Sequence, residues 1–200
     1  MASKNTFDRD YTTRLEELQR RAWKTVLDVQ RPYRWNLKRL APGKTLDVGC
    51  GIGRCLKNLP PESIGIDHNE HSIEIVNRMG MIGFTPADFE RSDHYRKGVF
   101  DSILFAHVLE HMTAQDGLNL IQKYTPLLRS EGKVIALCPQ EKGFKTDPTH
   151  VTFLDFAALN PIFVAAGLNV EKSYSFPFPR FFGTWFPYNE FVVVGRKFRC

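Results

Sequence analysis

Hydrophobic positions fall into two recurring periods along this chain, and the switches between them mark out its elements. Over 8–40, Leu15, Leu18, Trp23, Val26 and Leu27 recur at helical spacing, and Pro32 interrupts the run. "APGK" at 41–44 reads as a turn. Short apolar runs follow: "TLDVG" (45–49), "SIGID" (63–67), a short strand within "GFTPAD" (83–88), "VFDSILFA" (99–106) and "GKVIALC" (132–138). Between them lie the helical "RCLKNL", a helix over 69–79, and "AQDGLNLIQKYTPLL", weakened by Pro126. Positions 103–106 are nearly all apolar, as in a strand buried on both faces. A helix over 155–166 precedes "LNVEKSYSF" (168–176) and "EFVVVGRKF" (190–198), two strands with no helix between them. Such alternation predicts an α/β fold: a parallel sheet with helices on both faces, ending in an antiparallel pair. No boundary splits the chain, so 1–200 reads as one domain, with 1–42 a helical appendage and 43–200 the core.

"LDVGCGIGR" places Gly49, Gly51 and Gly53 directly after the first strand. Glycines there let backbone approach a ligand closely, and a helix start beyond them offers free N–H groups. A dinucleotide fingerprint needs its third glycine at position 54, which is Arg54, so a nicotinamide oxidoreductase is disfavoured. Asp67 ends the second strand, close to the ~20-residue spacing of an acid that grips ribose hydroxyls. Asp88 alone reads equally as a turn-capping residue.

In this order, "LDVGCGIG", "IGID", "ADF" (87–89), "FDSILFAHVLEHM" and "LLRSEGKVIAL" resemble the motifs of the class I S-adenosylmethionine-dependent methyltransferases. The likeness is to the small single-domain group with "VLEH" after strand four, and it covers about 43–198. It implies a Rossmann-like, seven-stranded mixed sheet whose last strand is antiparallel, in agreement with the terminal pair. It implies that Asp47 and the backbone of Gly49, Gly51 and Gly53 surround the methionine part of S-adenosylmethionine. Asp67 would bind the ribose, with His68 beside it. Asp88 would accept from the adenine amino group, Phe89 would border the ring, and Ala106 and His107 would lie near the sulfonium.

Methyl transfer is an in-line displacement, and a hydroxyl acceptor benefits from a base or a metal. Help should lie at the C-terminal edge of the sheet, where ligands bind in open parallel folds. "HVLEH" leaves strand four there, and helical spacing would put His107, Glu110 and His111 on one face. A long polar loop after strand five adds Glu141, Lys142, Lys145, Asp147 and His150. His107 and His150 are the candidate bases. One branch of the family, the small-RNA 2′-O-methyltransferases, carries Glu-x-x-Glu-His here plus a later histidine and binds a divalent metal. By that resemblance Glu110, His111 and His150 are candidate ligands for Mg or Mn, although His107 replaces the first Glu and hard magnesium prefers oxygen. The aromatic stretch 177–188 reads as an acceptor lid, with Tyr11, Arg180, Trp185 and Tyr188 as candidate acceptor contacts and the remaining rings as core or a homodimer contact. The expected activity is O-methylation of a small or carbohydrate-like molecule. The alternatives are 2′-O-methylation of RNA and a non-enzymatic cofactor-binding regulator.

Composition narrows this little further. Of 200 residues 42% are hydrophobic, enough for a sizeable core. "MASKNTFDRDYTTR" is polar and reads as no signal peptide, and no apolar run approaches the ~18 residues of a membrane span. Cys50, Cys55, Cys138 and Cys200 show no CxxC spacing, which suits a reduced cytoplasmic protein. A net charge of +5 permits an anionic partner without requiring one, and the early Arg and Lys residues read as a solvated helix face. Neither nucleic acid nor membrane is the expected partner.

Overall fold

The computed structural model describes residues 30–198; the helical run expected over 8–29 and the candidate contact Tyr11 lie outside them. Seven strands form one sheet: β1 Thr45–Val48, β2 Ile64–Ile66, β3 Ile82–Phe84, β4 Phe100–Ala106, β5 Leu128–Pro139, β6 Leu168–Phe176 and β7 Glu190–Lys197. Their order is β3-β2-β1-β4-β5-β7-β6. β1 pairs in parallel with β2 and β4, with Leu46 opposite Ile64 and Asp47 opposite Leu104. β7 runs antiparallel between β5 and β6. Because β1 has β2 on one side and β4 on the other, the strand order reverses there, and a crevice opens beyond the C-terminal ends of β1 and β4.

The period-two pattern of the central strands sorts their side chains onto two cores. Ile103, Phe105, Val134, Ala136, Cys138, Phe191 and Val193 face one side. Leu104, Ile135, Leu137, Val192 and Val194, the residues between them, face the other. The described helices are α1 Arg31–Arg39, α2 Glu70–Arg78, α3 Pro86–Arg91, α4 Ala114–Tyr124, α5 Glu141–Phe144 and α6 Phe156–Ala165. α3, α4 and α6 cover the first face through Phe89, Ile121, Tyr124, Leu159 and Phe163. Leu37 of α1 and Ile73 and Val76 of α2 cover the second.

Pro32 lies in the first turn of α1, where a missing N–H costs nothing, and the part of the run before it lies outside the described residues. Two local expectations need correction. "RCLKNL" is not an α-helix. Gly49, Gly51 and Gly53 all take positive φ, Pro60 and Pro61 cut off the far end, and only a 3-10 turn at Leu56–Asn58 forms. "HVLEH" likewise does not open a helix. His107 has φ 59°, and a 3-10 turn covers Leu109–His111. α4 begins only after Thr113, whose hydroxyl oxygen accepts from Asp116 N at 3.2 Å.

Phe89 is fully buried among Phe84, Tyr95, Phe100 and Tyr124. It is a core ring and cannot border an adenine. Phe89→Ala should therefore cost about 3–5 kcal/mol of folding free energy, read from urea unfolding. A loss confined to cofactor affinity would return Phe89 to the binding site.

Candidate active site

The C-terminal edge of β1 carries the glycine turn. An added Cβ at Gly49 would meet Val108 Cγ2 at 2.4 Å, and one at Gly53 would meet Met81 Cε at 2.6 Å. Those two glycines are demanded by packing. At Gly51 (φ 51°) an added Cβ meets nothing within 4 Å, so this is the position whose backbone a ligand can approach. Both oxygens of the buried Asp67 carboxylate are held by backbone: Gly51 N donates to Oδ2 at 2.8 Å and Asn69 N to Oδ1 at 2.9 Å. The acid after β2 thus fixes the outer glycine. His68 lies beside it, Nδ1 at 3.7 Å from Oδ1 and the side chain 40% exposed.

Asp47 is buried in β1, and neither carboxylate oxygen has a hydrogen bond of good geometry. Burial first, and the neighbouring Asp67 second, push its pKa up to about 7, while Arg54 and the Leu56 amide pull it down. A buried, poorly partnered acid beneath an open glycine turn fits a ligand that brings positive charge, such as the ammonium and sulfonium of S-adenosylmethionine. Asp88 is engaged elsewhere. It is exposed on α3, accepts from Thr85 Oγ1 at 2.6 Å and Arg91 Nη2 at 2.7 Å, and these contacts hold its carboxyl below the usual range. Its N–H donates to Thr85 Oγ1 at 3.2 Å, so it closes the cap of α3 and is not presented to an adenine.

Ala106 ends β4 and His107 turns away from it, held by its own N–H to Leu137 O at 2.9 Å. The imidazole lies between two buried acids: Nε2 is 2.8 Å from Glu190 Oε1 and Nδ1 is 3.3 Å from Glu110 Oε1. Burial opposes protonation, but the adjacent Glu110 and Glu190 carboxylates prevail and raise the pKa to about 9. At neutral pH His107 is an imidazolium with a carboxylate facing each nitrogen, which corrects its assignment as a base. Glu190 escaped the sequence reading, where it was only the first residue of a strand.

Glu110 joins this pair to a second one. Its carboxylate, His111 and His150 offer atoms that all lie within 4.8 Å of one another. Thr149 Oγ1 donates to Asp147 Oδ1 at 2.7 Å and so accepts from His111 Nδ1 at 3.1 Å. His150 Nδ1 donates to Phe144 O at 2.7 Å. Both networks assign the proton to Nδ1 and leave Nε2 as the available nitrogen. Burial and the nearby His150 lower the pKa of His111, which keeps that ring neutral. The three predicted metal candidates are thus brought together, and a donor set of one carboxylate and two imidazoles fits a first-row transition ion better than magnesium.

Arg180 is not free for an acceptor. Its guanidinium grips both oxygens of Glu141 and lies 4.7 Å from the Phe191 ring centroid. Trp185 is 78% exposed, and the Tyr188 backbone carbonyl accepts from Tyr33 Oη. Cys50, Cys55 and Cys138 are free thiols; burial raises all three pKa values, Cys55 to about 12, so thiolate chemistry is not on offer.

Residues 46–136 match the family model described as a methyltransferase domain. No curated protein sequence matches. Among solved structures, an S-adenosylmethionine-dependent methyltransferase of Thermotoga maritima is 16% identical at a TM-score of 0.68, over 94% of this chain and 98% of the other. One from Archaeoglobus fulgidus is 17% identical at 0.62, over 86% and 99%. The Synechocystis magnesium protoporphyrin IX methyltransferase, solved with S-adenosylhomocysteine, is 13% identical at 0.58, over 85% of both chains. At such identities the likeness establishes the fold.

Two outcomes follow from this geometry. Asp67→Ala frees the Gly51 amide at the glycine turn and the Asn69 amide after β2, and should cost about 1.5–3 kcal/mol of S-adenosylmethionine affinity by calorimetry; unchanged affinity would remove Asp67 from the site. The second concerns pH. A histidine raised from 6.5 to about 9 on folding stabilises fully below pH 6.5, and that contribution is lost as pH climbs to about 9. The urea midpoint should fall across that window, and Glu190→Gln should flatten the fall. A midpoint equally pH-dependent in both proteins would contradict the clamp.

Proposed function

We propose that the chain, whose residues 46–136 match a methyltransferase domain, is a class I S-adenosylmethionine-dependent methyltransferase that methylates a hydroxyl on a small or carbohydrate-like molecule. When bound, S-adenosylmethionine supplies a methyl group activated on a sulfonium. The chain's own residues do the rest. Gly51 and Asp67 anchor the cofactor, and Asp47 faces its positive charge. The Glu110–His107–Glu190 clamp fixes the wall at the end of β4. The observation that carries the hydroxyl reading is His150, whose Nδ1 is tied to Phe144 O so that Nε2 can take the acceptor's proton. Methyl transfer to a carboxylate needs no such group. We read the protein as one cytoplasmic domain.

A second reading, favoured by the Glu110–His111–His150 cluster, is metal-assisted methylation of an RNA 2′-hydroxyl. Glu110 and the two histidines would hold the ion, which would lower the hydroxyl pKa. His150 then serves as ligand and not as base.

One series separates the two. Labelled methyl from S-adenosylmethionine should appear in a hydroxyl-bearing small molecule in fractionated extract. His150→Ala should lower that rate by about 10²–10⁴-fold with cofactor affinity nearly intact. Turnover that survives chelator leaves His150 as base. Turnover lost to chelator and restored by Mn²⁺, with Glu110→Ala and His111→Ala equally damaging, supports the metal. If His150→Ala stays within a fewfold of the parent rate, both readings fail.

A further inference from the structure

Nine large hydrophobic side chains are exposed among the described residues, and five of them, Trp35, Phe178, Phe181, Trp185 and Tyr188, fall in two short segments. The segments touch. Trp35 stacks on Phe176 at 6.3 Å, and Tyr33 packs on the same ring at 5.8 Å while its hydroxyl donates to Tyr188 O. From Tyr188 the rings run on through Phe186, Phe178, Phe182 and Phe181 at centroid spacings of 4.5–5.6 Å. Soluble proteins rarely leave apolar rings clustered in this way without a partner.

The charge beside the rings is of one sign. On α1 the exposed Arg31, Trp35, Lys38 and Arg39 stand at i, i+4, i+7 and i+8, one face of a helix whose other face buries Leu37. Arg39 lies over the Trp35 ring at 5.3 Å. Lys142 and Lys145 are exposed on and just after α5, against which the aromatic turn packs. Segments 31–40, 139–146 and 176–190 hold two acids, Glu141 and Glu190. One is taken by Arg180 and the other is buried on His107. A second copy would set like charge against like. We propose that this surface docks on an anionic lipid bilayer, with Trp35, Phe181, Trp185 and Tyr188 at headgroup depth and the α1 cations on the lipid phosphates and carboxylates. Indole and phenol rings favour that layer because one end is apolar and the other polar, and aromatic anchors joined to basic residues make an interfacial surface. A nucleic-acid platform would interleave free cations with its stacking rings; here Arg39 already covers Trp35, Arg180 in the aromatic turn is taken by Glu141, and the remaining cations lie on α1 and on or just after α5, apart from the four exposed rings of the turn. The inference goes beyond the acceptor proposed above and stands whether or not that acceptor is right.

The test is co-sedimentation of the full chain with phosphatidylcholine vesicles, with and without phosphatidylserine. The protein should sediment with the anionic vesicles at low salt and be released as salt rises. Arg31→Ala and Lys38→Ala should each lower the partition coefficient roughly fivefold. Phe181→Ser and Trp185→Ser should each lower it roughly tenfold, since each removes a ring from the apolar layer. All four positions are exposed, and unchanged S-adenosylmethionine affinity confirms that the variants fold. Absence from anionic vesicles at low salt overturns the proposal. So does vesicle binding that ignores both aromatic changes. Retention of single-stranded RNA through these residues without vesicle binding would assign the surface to nucleic acid, and a dimer broken by Phe181→Ser without vesicle binding would assign it to a second copy.

Discussion

A carboxylate removed from water must find hydrogen bonds or positive charge or give up its own, and four are buried among the described residues at one edge of the sheet. Asp67, after β2, is held by two backbone amides. The other three are Asp47 within β1, Glu110 after β4 and Glu190 at the start of β7. Of the oxygens on these three acids, only Glu190 Oε1 has a hydrogen bond of good geometry, and it comes from His107. The imidazolium offsets part of the burden, because each adjacent acid gains by keeping it charged. At Asp47 burial and the nearby Asp67 outweigh the pull of Arg54 and the Leu56 amide, and its pKa rises to about 7. The edge as built is short of positive charge, which is the chemistry a cationic ligand would complement.

The topology makes this arrangement unavoidable. β4 lies between β1 and β5, and β7 pairs antiparallel with β5, so the start of β7 arrives at the end where its neighbours finish. Glu190 therefore stands beside Pro139 and within reach of His107, 83 residues away in sequence. The left-handed backbone at His107 is the local cost of that contact. It turns the ring back onto Glu110 and ends β4 without a helix. The 3-10 turn that follows is pinned from outside, because Val151 N and Thr152 N both donate to Glu110 O, at 2.7 and 3.1 Å. One residue thus serves three histidines, with its side chain near His107 on one side and His111 and His150 on the other.

What could be read from the sequence was whatever depends on local spacing. The strands are legible because β4, β5 and β7 are buried on both faces and so read as short continuous apolar runs bounded by turns. Asp67 was legible as the acid that ends β2, but its bracing of the glycine turn through Gly51 N was not. The failures have a different character. Phe89 and Asp88 are adjacent in a motif, yet the six-residue α3 turns one into the core and the other into its own cap. His107 looks like a free imidazole until Glu190 is placed beside it, and that placement depends on strand order and register. Three glycines in one turn look alike, but only the space around each shows that two are packing and one is open. Long-range pairing decides charge state and exposure, and no local window of sequence contains it.

The aromatic stretch gains a different meaning once its base is considered. Expected to be a lid, it is held at its root by buried polar side chains. Asn189 Nδ2 reaches Gln140 Oε1 and Ser175 Oγ, both at 2.9 Å, and Phe178 N donates to Asn189 Oδ1 at 2.9 Å. Gln140 Nε2 in turn donates to Ser175 Oγ at 2.7 Å and to Glu190 O at 3.0 Å. Arg180 clasps Glu141 across the gap. A buried amide pair satisfied in this way would leave several donors and acceptors unpaired if the segment swung out, at about 1–3 kcal/mol for each. Such a root favours a wall over a hinge. The order at the base and the exposure at Phe181 and Trp185 belong together: the rings are held out toward solvent by a frame that also positions Glu190. Whatever the tips meet, they meet it in a fixed orientation relative to the buried charges of the site.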